Sequence, residues 1–194
     1  AQNFPLDIFF VRDDDIPAFL ATDVCQLGIL GQNGLLEKQA LGNGKFAGLR
    51  QLLPLGYGKC RLSIAVPHDF DYQSIKSLNG KVIATSFKGL LAQYLADHKI
   101  DADIVTMEGA VEVAPRTHLA DVICDLVSTG STLVSNGLVE KDIILQSQAV
   151  LVTNQIDDPE IAALAEKVTS RIKAVLRAEN SRYIMLNSPI DSLE

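Results

Sequence analysis

Asp121-Val-Ile-Cys-Asp125-Leu-Val-Ser128-Thr129-Gly130-Ser131-Thr132-Leu133 joins an apolar strand to a bend of small hydroxyl residues around one glycine. A helical pattern follows, with Leu133, Val134 and Leu138 as its apolar positions. Strand, tight turn and helix form the repeating unit of α/β folds. The same alternation extends along the chain in both directions. Apolar runs predict strands at Leu6–Val11, Leu27–Leu30, Arg61–Pro67, Lys81–Ala84, Ala102–Met107, Asp121–Leu126 and Ile143–Thr153. Amphipathic stretches lie between them, such as Leu90–Lys99, where Leu90, Leu91, Tyr94 and Leu95 share one face. The pattern predicts an α/β fold with mostly parallel sheets covered on both faces.

Near the end, Asp158 is placed to cap a helix, Pro159 suits its first position and Glu160 suits the positive end of its dipole. Ile161, Leu164, Val168, Ile172 and Val175 then recur at three and four residues, as on a helix that docks one face. Arg171, Lys173 and Arg177 fall on its other faces. Two stretches read as crossings between subdomains: the glycine-rich Gly42–Gly58 and the nearly continuous apolar Ile143–Asn154. They divide the chain into lobe I, residues 1–58 with 145–194, and lobe II, residues 59–144. Two α/β lobes joined twice leave a cleft where ligands bind near strand carboxyl ends.

Composition narrows the function classes. The 194 residues are 47% hydrophobic and 21% charged, within the range of folded globular chains. No apolar run reaches the roughly 18 residues of a membrane span. Ala1–Val11 lacks the charged and long apolar regions of a signal peptide. A net charge of -7 argues against nucleic acid and other polyanions as partners. Three cysteines without CxxC spacing and three histidines without ligand spacing point away from a disulfide framework or a zinc site. They agree with a reducing cytoplasm.

The Ser128–Thr132 bend carries the clearest chemistry. A turn at a helix start exposes free amides, and glycine allows an anion to come close. The hydroxyls of Ser128, Thr129, Ser131 and Thr132 add donors without charge, and Asp125 is placed to accept from vicinal sugar hydroxyls. The competing reading is a plain helix cap by Ser131 or Thr132. Asp13, Asp14 and Asp15 read as helix capping ahead of Ile16-Pro17 rather than as a metal triad, because consecutive side chains point apart.

Six segments together resemble the ATP phosphoribosyltransferase family of histidine biosynthesis. They are Arg12-Asp-Asp-Asp-Ile-Pro17, Leu27-Gly-Ile-Leu-Gly-Gln-Asn33, Gly80-Lys-Val-Ile-Ala-Thr-Ser86, Gly109-Ala-Val-Glu-Val-Ala-Pro-Arg116, Asp125–Leu133 and Tyr183-Ile-Met185. The resemblance implies a two-lobed, periplasmic-binding-protein-like (type II) fold. It implies condensation of ATP, through adenine N1, with phosphoribosyl pyrophosphate (PRPP), with Mg2+ held by substrate phosphates rather than by a protein metal site. Asp125 would take the ribose hydroxyls, and Ser128, Thr129, Gly130, Ser131 and Thr132 the 5'-phosphate. Glu112 is either a second acid near ribose or metal, or a surface charge. Arg12, at the end of the first strand, would face ATP or pyrophosphate or pair with Asp13–Asp15. Thr85, Ser86 and Lys88, at a helix start, would take pyrophosphate, although Lys88-Gly89 stands where the family more often has a proline-containing pair.

The resemblance further implies dimers or hexamers, a cytoplasmic location and feedback by histidine and AMP. It is nearest to long-form members, relative to which the chain is short at both ends. A two-lobed ligand receptor and a catalytically silent regulatory paralogue are the competing functions. The missing cationic loop of the family's first strand predicts weak or absent turnover with retained affinity for a phosphoribosyl group; turnover equal to that of an intact relative would contradict this.

Overall fold

The computed structural model describes residues 4–42, 44–179, 182, 185 and 187. The chain forms two compact units, residues 1–156 and 157–194. The first unit contains eight described strands, β1 (Leu27–Gly31), β2 (Arg50–Pro54), β3 (Cys60–Pro67), β4 (Val82–Thr85), β5 (Asp103–Thr106), β6 (Val122–Val127), β7 (Leu138–Ser147) and β8 (Ala149–Thr153). They build a three-stranded sheet in the order β1-β8-β2 and a five-stranded sheet in the order β5-β4-β6-β3-β7. The α/β class and the two-sheet architecture follow the sequence.

Strand direction differs from the expectation. Only β4 pairs in parallel, with β5 and β6; the β1–β8, β2–β8, β3–β6 and β3–β7 pairs are antiparallel. The cause is the passage between sheets. β3 leaves that passage at Cys60 and β7 returns to it at Ser147, and these two residues are register partners. Neighbouring strands that leave and re-enter through one neck must run in opposite directions. The neck itself is paired: the Leu55 amide donates to the Ala149 carbonyl at 2.9 Å, and the Ala149 amide to the Tyr57 carbonyl at 2.9 Å.

Three further expectations change. Leu6–Val11 joins neither sheet, and Phe10 is 96% exposed. Apolar alternation becomes a strand only where a neighbouring backbone pairs with it, and β1 takes its register from β8. The apolar run Ile143–Thr153 is two strands broken at Gln148, and β7 begins earlier, at Leu138. β2 lies within the glycine-rich stretch, where Arg50, Gln51 and a register shift between Gln51 and Leu53 hide it from a period-two reading.

Both faces of the five-stranded sheet are packed. Leu62, Ile64 and Val66 of β3 point with Ile83, Val122 and Cys124 toward Leu91 and Leu95 of α3 (Lys88–His98). Ala65, Ala84, Ile123 and Val127 point the other way, toward Val111, Ala114, Leu133 and Leu138. The smaller sheet packs Leu30, Val150 and Val152 against Leu20 and Leu35. These two come from α1 (Ile16–Ala21) and α2 (Gln32–Leu41). Each such aliphatic side chain contributes about 1.5–3 kcal/mol when fully buried.

α2 and α3 meet closely. A Cβ on Gly89 would stand 2.8 Å from Ala40 Cβ and 3.0 Å from Leu41 Cγ. Beside that contact, the buried Glu37 carboxylate accepts from the Gly89 amide at 2.7 Å and the Leu90 amide at 2.9 Å. Glu37 on α2 thus satisfies the orphan amides at the start of α3.

The second unit holds α5 (Pro159–Glu179). Asp158 Oδ1 accepts from the amides of Glu160 at 2.8 Å and Ile161 at 3.3 Å, the cap its sequence predicts. Tyr183 and Ile184, part of a quoted motif, lie outside the described residues; Met185 is exposed.

Glu37→Ala is expected to cost about 2 kcal/mol of stability, read as a lower urea midpoint. Glu37→Gln, which keeps an acceptor, should cost less. Equal midpoints for all three proteins would show that the carboxylate does not hold α3.

Candidate functional site

Asp125 reaches the site through strand register. In the antiparallel β3–β6 pair, Asp125 faces Ser63 and Val127 faces Arg61, so all four side chains lie on one side of the sheet. β6 ends at Val127, and the loop that follows turns at Gly130, whose φ of +83° suits glycine. The chain then enters the short helix α4 (Ser131–Ser135). Val127 and Leu133, both buried in the same apolar cluster, anchor the two ends of the loop from beneath. The helix stops at Ser135 and Gly137 has φ +71°, so Leu138 starts β7 rather than continuing the helix.

A cavity of about 220 Å3 opens above this loop. Its lining includes Glu112, Asp125, Ser128, Thr129, Gly130 and Thr132, over a floor with Leu126, Val127 and Leu133. Ser131 does not line it; its hydroxyl lies 3.1 Å from that of Thr129. The first amide after Gly130 bonded to a helix-type acceptor is that of Val134, which donates to the Gly130 carbonyl at 3.1 Å. The amides of Thr129, Gly130, Thr132 and Leu133 donate to no acceptor among the described residues. The loop therefore presents amides and hydroxyls, and it is not closed by a side-chain cap.

The cavity lining also carries two carboxylates, Asp125 and Glu112. Burial pushes the Asp125 carboxyl above its ordinary value, the hydrogen bond from the Leu126 amide (2.8 Å) opposes this, and the negative charge of Glu112 adds to the rise. The lining thus offers donors for an anion and acceptors for hydroxyls or a cation. A sugar phosphate has both features.

The remaining residues singled out in the sequence do not join this cavity. Arg12 is exposed, follows no strand, and pairs with none of Asp13, Asp14 or Asp15. Asp15 makes no side-chain cap of α1. Asp13 instead reaches Gly31, the residue ahead of α2, and accepts from its amide at 3.2 and 3.3 Å. Thr85 is fully buried and its hydroxyl accepts from the Phe87 amide at 2.9 Å. Ser86 donates to the Met107 carbonyl at 2.7 Å. Lys88 is exposed at the start of α3, but the next two amides are held by Glu37. The Thr85 and Ser86 hydroxyls and two amides at the start of α3 thus already have partners within the protein, the amides with Glu37.

Two groups escaped the sequence reading. Glu37 lies in a helix with little amphipathic contrast, so nothing marked it as inward-facing. Arg61 begins an apolar strand and reads as a boundary residue, yet it bonds Glu140 and the Ser128 carbonyl. The period-two pair Arg61 and Ser63 was the available signal.

A sequence profile of the HisG family, described as ATP phosphoribosyltransferase, matches residues 12–174. An ATP phosphoribosyltransferase of Maricaulis maris is 45% identical over 196 aligned residues, covering the whole of this chain and 66% of the relative. The chain thus spans just under two thirds of that relative's length. Among solved structures, the ATP phosphoribosyl transferase (HisG:HisZ) complex from Thermotoga maritima superimposes with a TM-score of 0.74 at 26% identity. That match covers 88% of this chain and 79% of the other. A periplasmic binding protein from Brucella ovis, with glutathione bound, matches in fold alone: TM-score 0.57, 16% identity, 89% of this chain and 55% of that one.

The raised Asp125 carboxyl sets a pH dependence. Between its unfolded and native values, the folded protein binds more protons than the unfolded chain, so stability falls as pH rises through that window. The deficit then persists at neutral pH. Asp125→Asn should therefore melt a few degrees higher at pH 7 and converge with the unsubstituted protein near pH 3. A lower melting temperature at pH 7 would contradict the assigned cause.

Proposed function

The chain belongs to the HisG ATP phosphoribosyltransferase family, and from that premise we propose that it binds PRPP at the Asp125–Thr132 cavity and transfers the phosphoribosyl group to N1 of the ATP adenine. Pyrophosphate leaves, in the first step of histidine biosynthesis. The observation that supports this most directly is the lining of the cavity, which combines free amides and hydroxyls with two carboxylates. The 5'-phosphate would sit on Ser128–Thr132, and the ribose hydroxyls would donate to Asp125.

The reaction asks little covalent help from the protein. The N1 lone pair forms the bond to C1' as the C1'–oxygen bond breaks, its electron pair leaves with pyrophosphate, and a proton is lost from the adenine 6-amino group. Positive charge develops on the anomeric carbon during this exchange. Fixing the phosphate and both ribose hydroxyls orients C1' toward its nucleophile and restricts the sugar to a reactive pose. Asp125 and Glu112 place negative charge beside the developing oxocarbenium. Arg12, an exposed cation in a matched motif, and Lys88, an exposed cation just beyond one, would face triphosphate or pyrophosphate.

Two carboxylates in one cavity fit Mg2+ bound through one or two acids plus substrate phosphates, with Glu112 and Asp125 the residues able to approach it. Such an ion, when bound, offsets charge on the departing pyrophosphate. In this reading residues 59–144 form the PRPP-binding lobe and residues 1–58 with 145–194 the other. Self-association, as a dimer or hexamer, belongs to the same proposal, as does a cytoplasmic site of action. Among the described residues no helix is long and apolar enough to cross a membrane.

Titration calorimetry with PRPP, ATP and free amino acids tests the reading. PRPP should bind. Gly130→Val, which forces a β-branched residue to φ +83°, should weaken PRPP by at least tenfold. Binding of an amino acid without any response to PRPP would favour a two-lobed receptor and overturn the assignment.

A further inference from the structure

Arg61 stands one strand away from the phosphate loop and outside the cavity lining. Its guanidinium meets three acceptor oxygens on two groups. Nε donates to Glu140 Oε1 and Nη2 to Glu140 Oε2, both at 2.5 Å, and Nη1 donates to the Ser128 carbonyl at 3.1 Å. The fully buried Ser63 adds a hydrogen bond from Oγ to Glu140 Oε1 at 2.7 Å. Arg61 and Ser63 belong to β3, Glu140 to β7, and Ser128 follows β6, so the network spans three adjacent strands.

The other hydrogen bonds of residues 128–131 are local, among Thr129, Ser131, Val134 and Ser135. Among the described residues, the Arg61–Ser128 bond alone ties this loop to a distant part of the chain. Two parallel N–H bonds to one carboxylate fix the plane of a guanidinium, a constraint a lysine ammonium does not provide. With its plane set by Glu140, Arg61 directs Nη1 at the carbonyl that opens the loop.

We propose that Arg61 is a positioning residue for phosphoribosyl binding: oriented by Glu140 and Ser63, it holds the Ser128 carbonyl so that the Thr129 and Gly130 amides converge on the phosphate. This rests on the phosphoribosyl reading of the cavity. A general electrostatic role makes the opposite prediction for one substitution. Glu140→Gln removes a negative charge near the loop and leaves Arg61 with more net positive field. If Arg61 only attracted phosphate through that field, Glu140→Gln would tighten binding. If Arg61 acts through geometry, the same substitution weakens it.

The test titrates ribose 5-phosphate into the full chain and into Glu140→Gln, Arg61→Lys and the double variant, with NMR order parameters for residues 128–131 measured without ligand. Positioning predicts roughly fivefold or greater weakening in each single variant. It also predicts lower loop order in both, and little further loss in the double variant. Unchanged or tighter binding by Glu140→Gln, or unchanged loop order in both single variants, overturns the positioning role while leaving the cavity assignment standing. If the unsubstituted chain does not bind ribose 5-phosphate, the cavity assignment fails, and the positioning role falls with it.

Discussion

The antiparallel register of β3 against β6 is the constraint on which the rest depends. Ser63 opposite Asp125 and Arg61 opposite Val127 place the polar side chains on the face where the loop emerges. Leu62, Ile64 and Val66 occupy the other face with Cys124 and Val122. Because side chains alternate, a slip of one residue would drive Asp125 into the apolar cluster beneath α3. Hydrophobic packing on both faces makes such a slip costly. The same burial that positions the carboxylate also fixes its reach, since β6 is bonded on both edges by β4 and β3.

Charge is placed locally against this apolar background. A protein carrying -7 overall binds an anion only where local dipoles outweigh the global field. The loop after β6 supplies such dipoles without a capping side chain. At α3 the protein takes the opposite course and neutralises the helix start internally with Glu37. At the Gly31 amide ahead of α2, Asp13 acts in the same way. Of these three amide clusters, then, two are satisfied by aspartate or glutamate from the chain and one faces the cavity.

The sequence made the site more legible than the sheets. Gly130, the flanking hydroxyl residues and Asp125 are close neighbours along the chain, so a local pattern carries the information. β1, β3, β4, β5 and β6 were also readable from short apolar runs, and the Asp158 cap of α5 from three adjacent residues. What local patterns do not encode is pairing. Strand direction followed from the neck, where Cys60 meets Ser147, 87 positions further along the chain. Leu6–Val11 has strand composition but no partner strand in either sheet. Thr85 and Ser86 have the right chemistry for an anion, but their hydroxyls are engaged by Phe87 and Met107.

The neck has a mechanical meaning. Leu55, Tyr57 and Ala149 bond across it, so the two connections form a short ribbon instead of two independent tethers. A ribbon of this kind twists readily but resists splaying, because spreading its strands breaks hydrogen bonds. Rotation of one sheet against the other is thereby channelled into a single soft coordinate. Movement along it would draw Glu37 away from Gly89 and Leu90, exposing a buried acid and two bare amides together. The fold thus favours one relative orientation of its sheets through the same ion–dipole contact that begins α3.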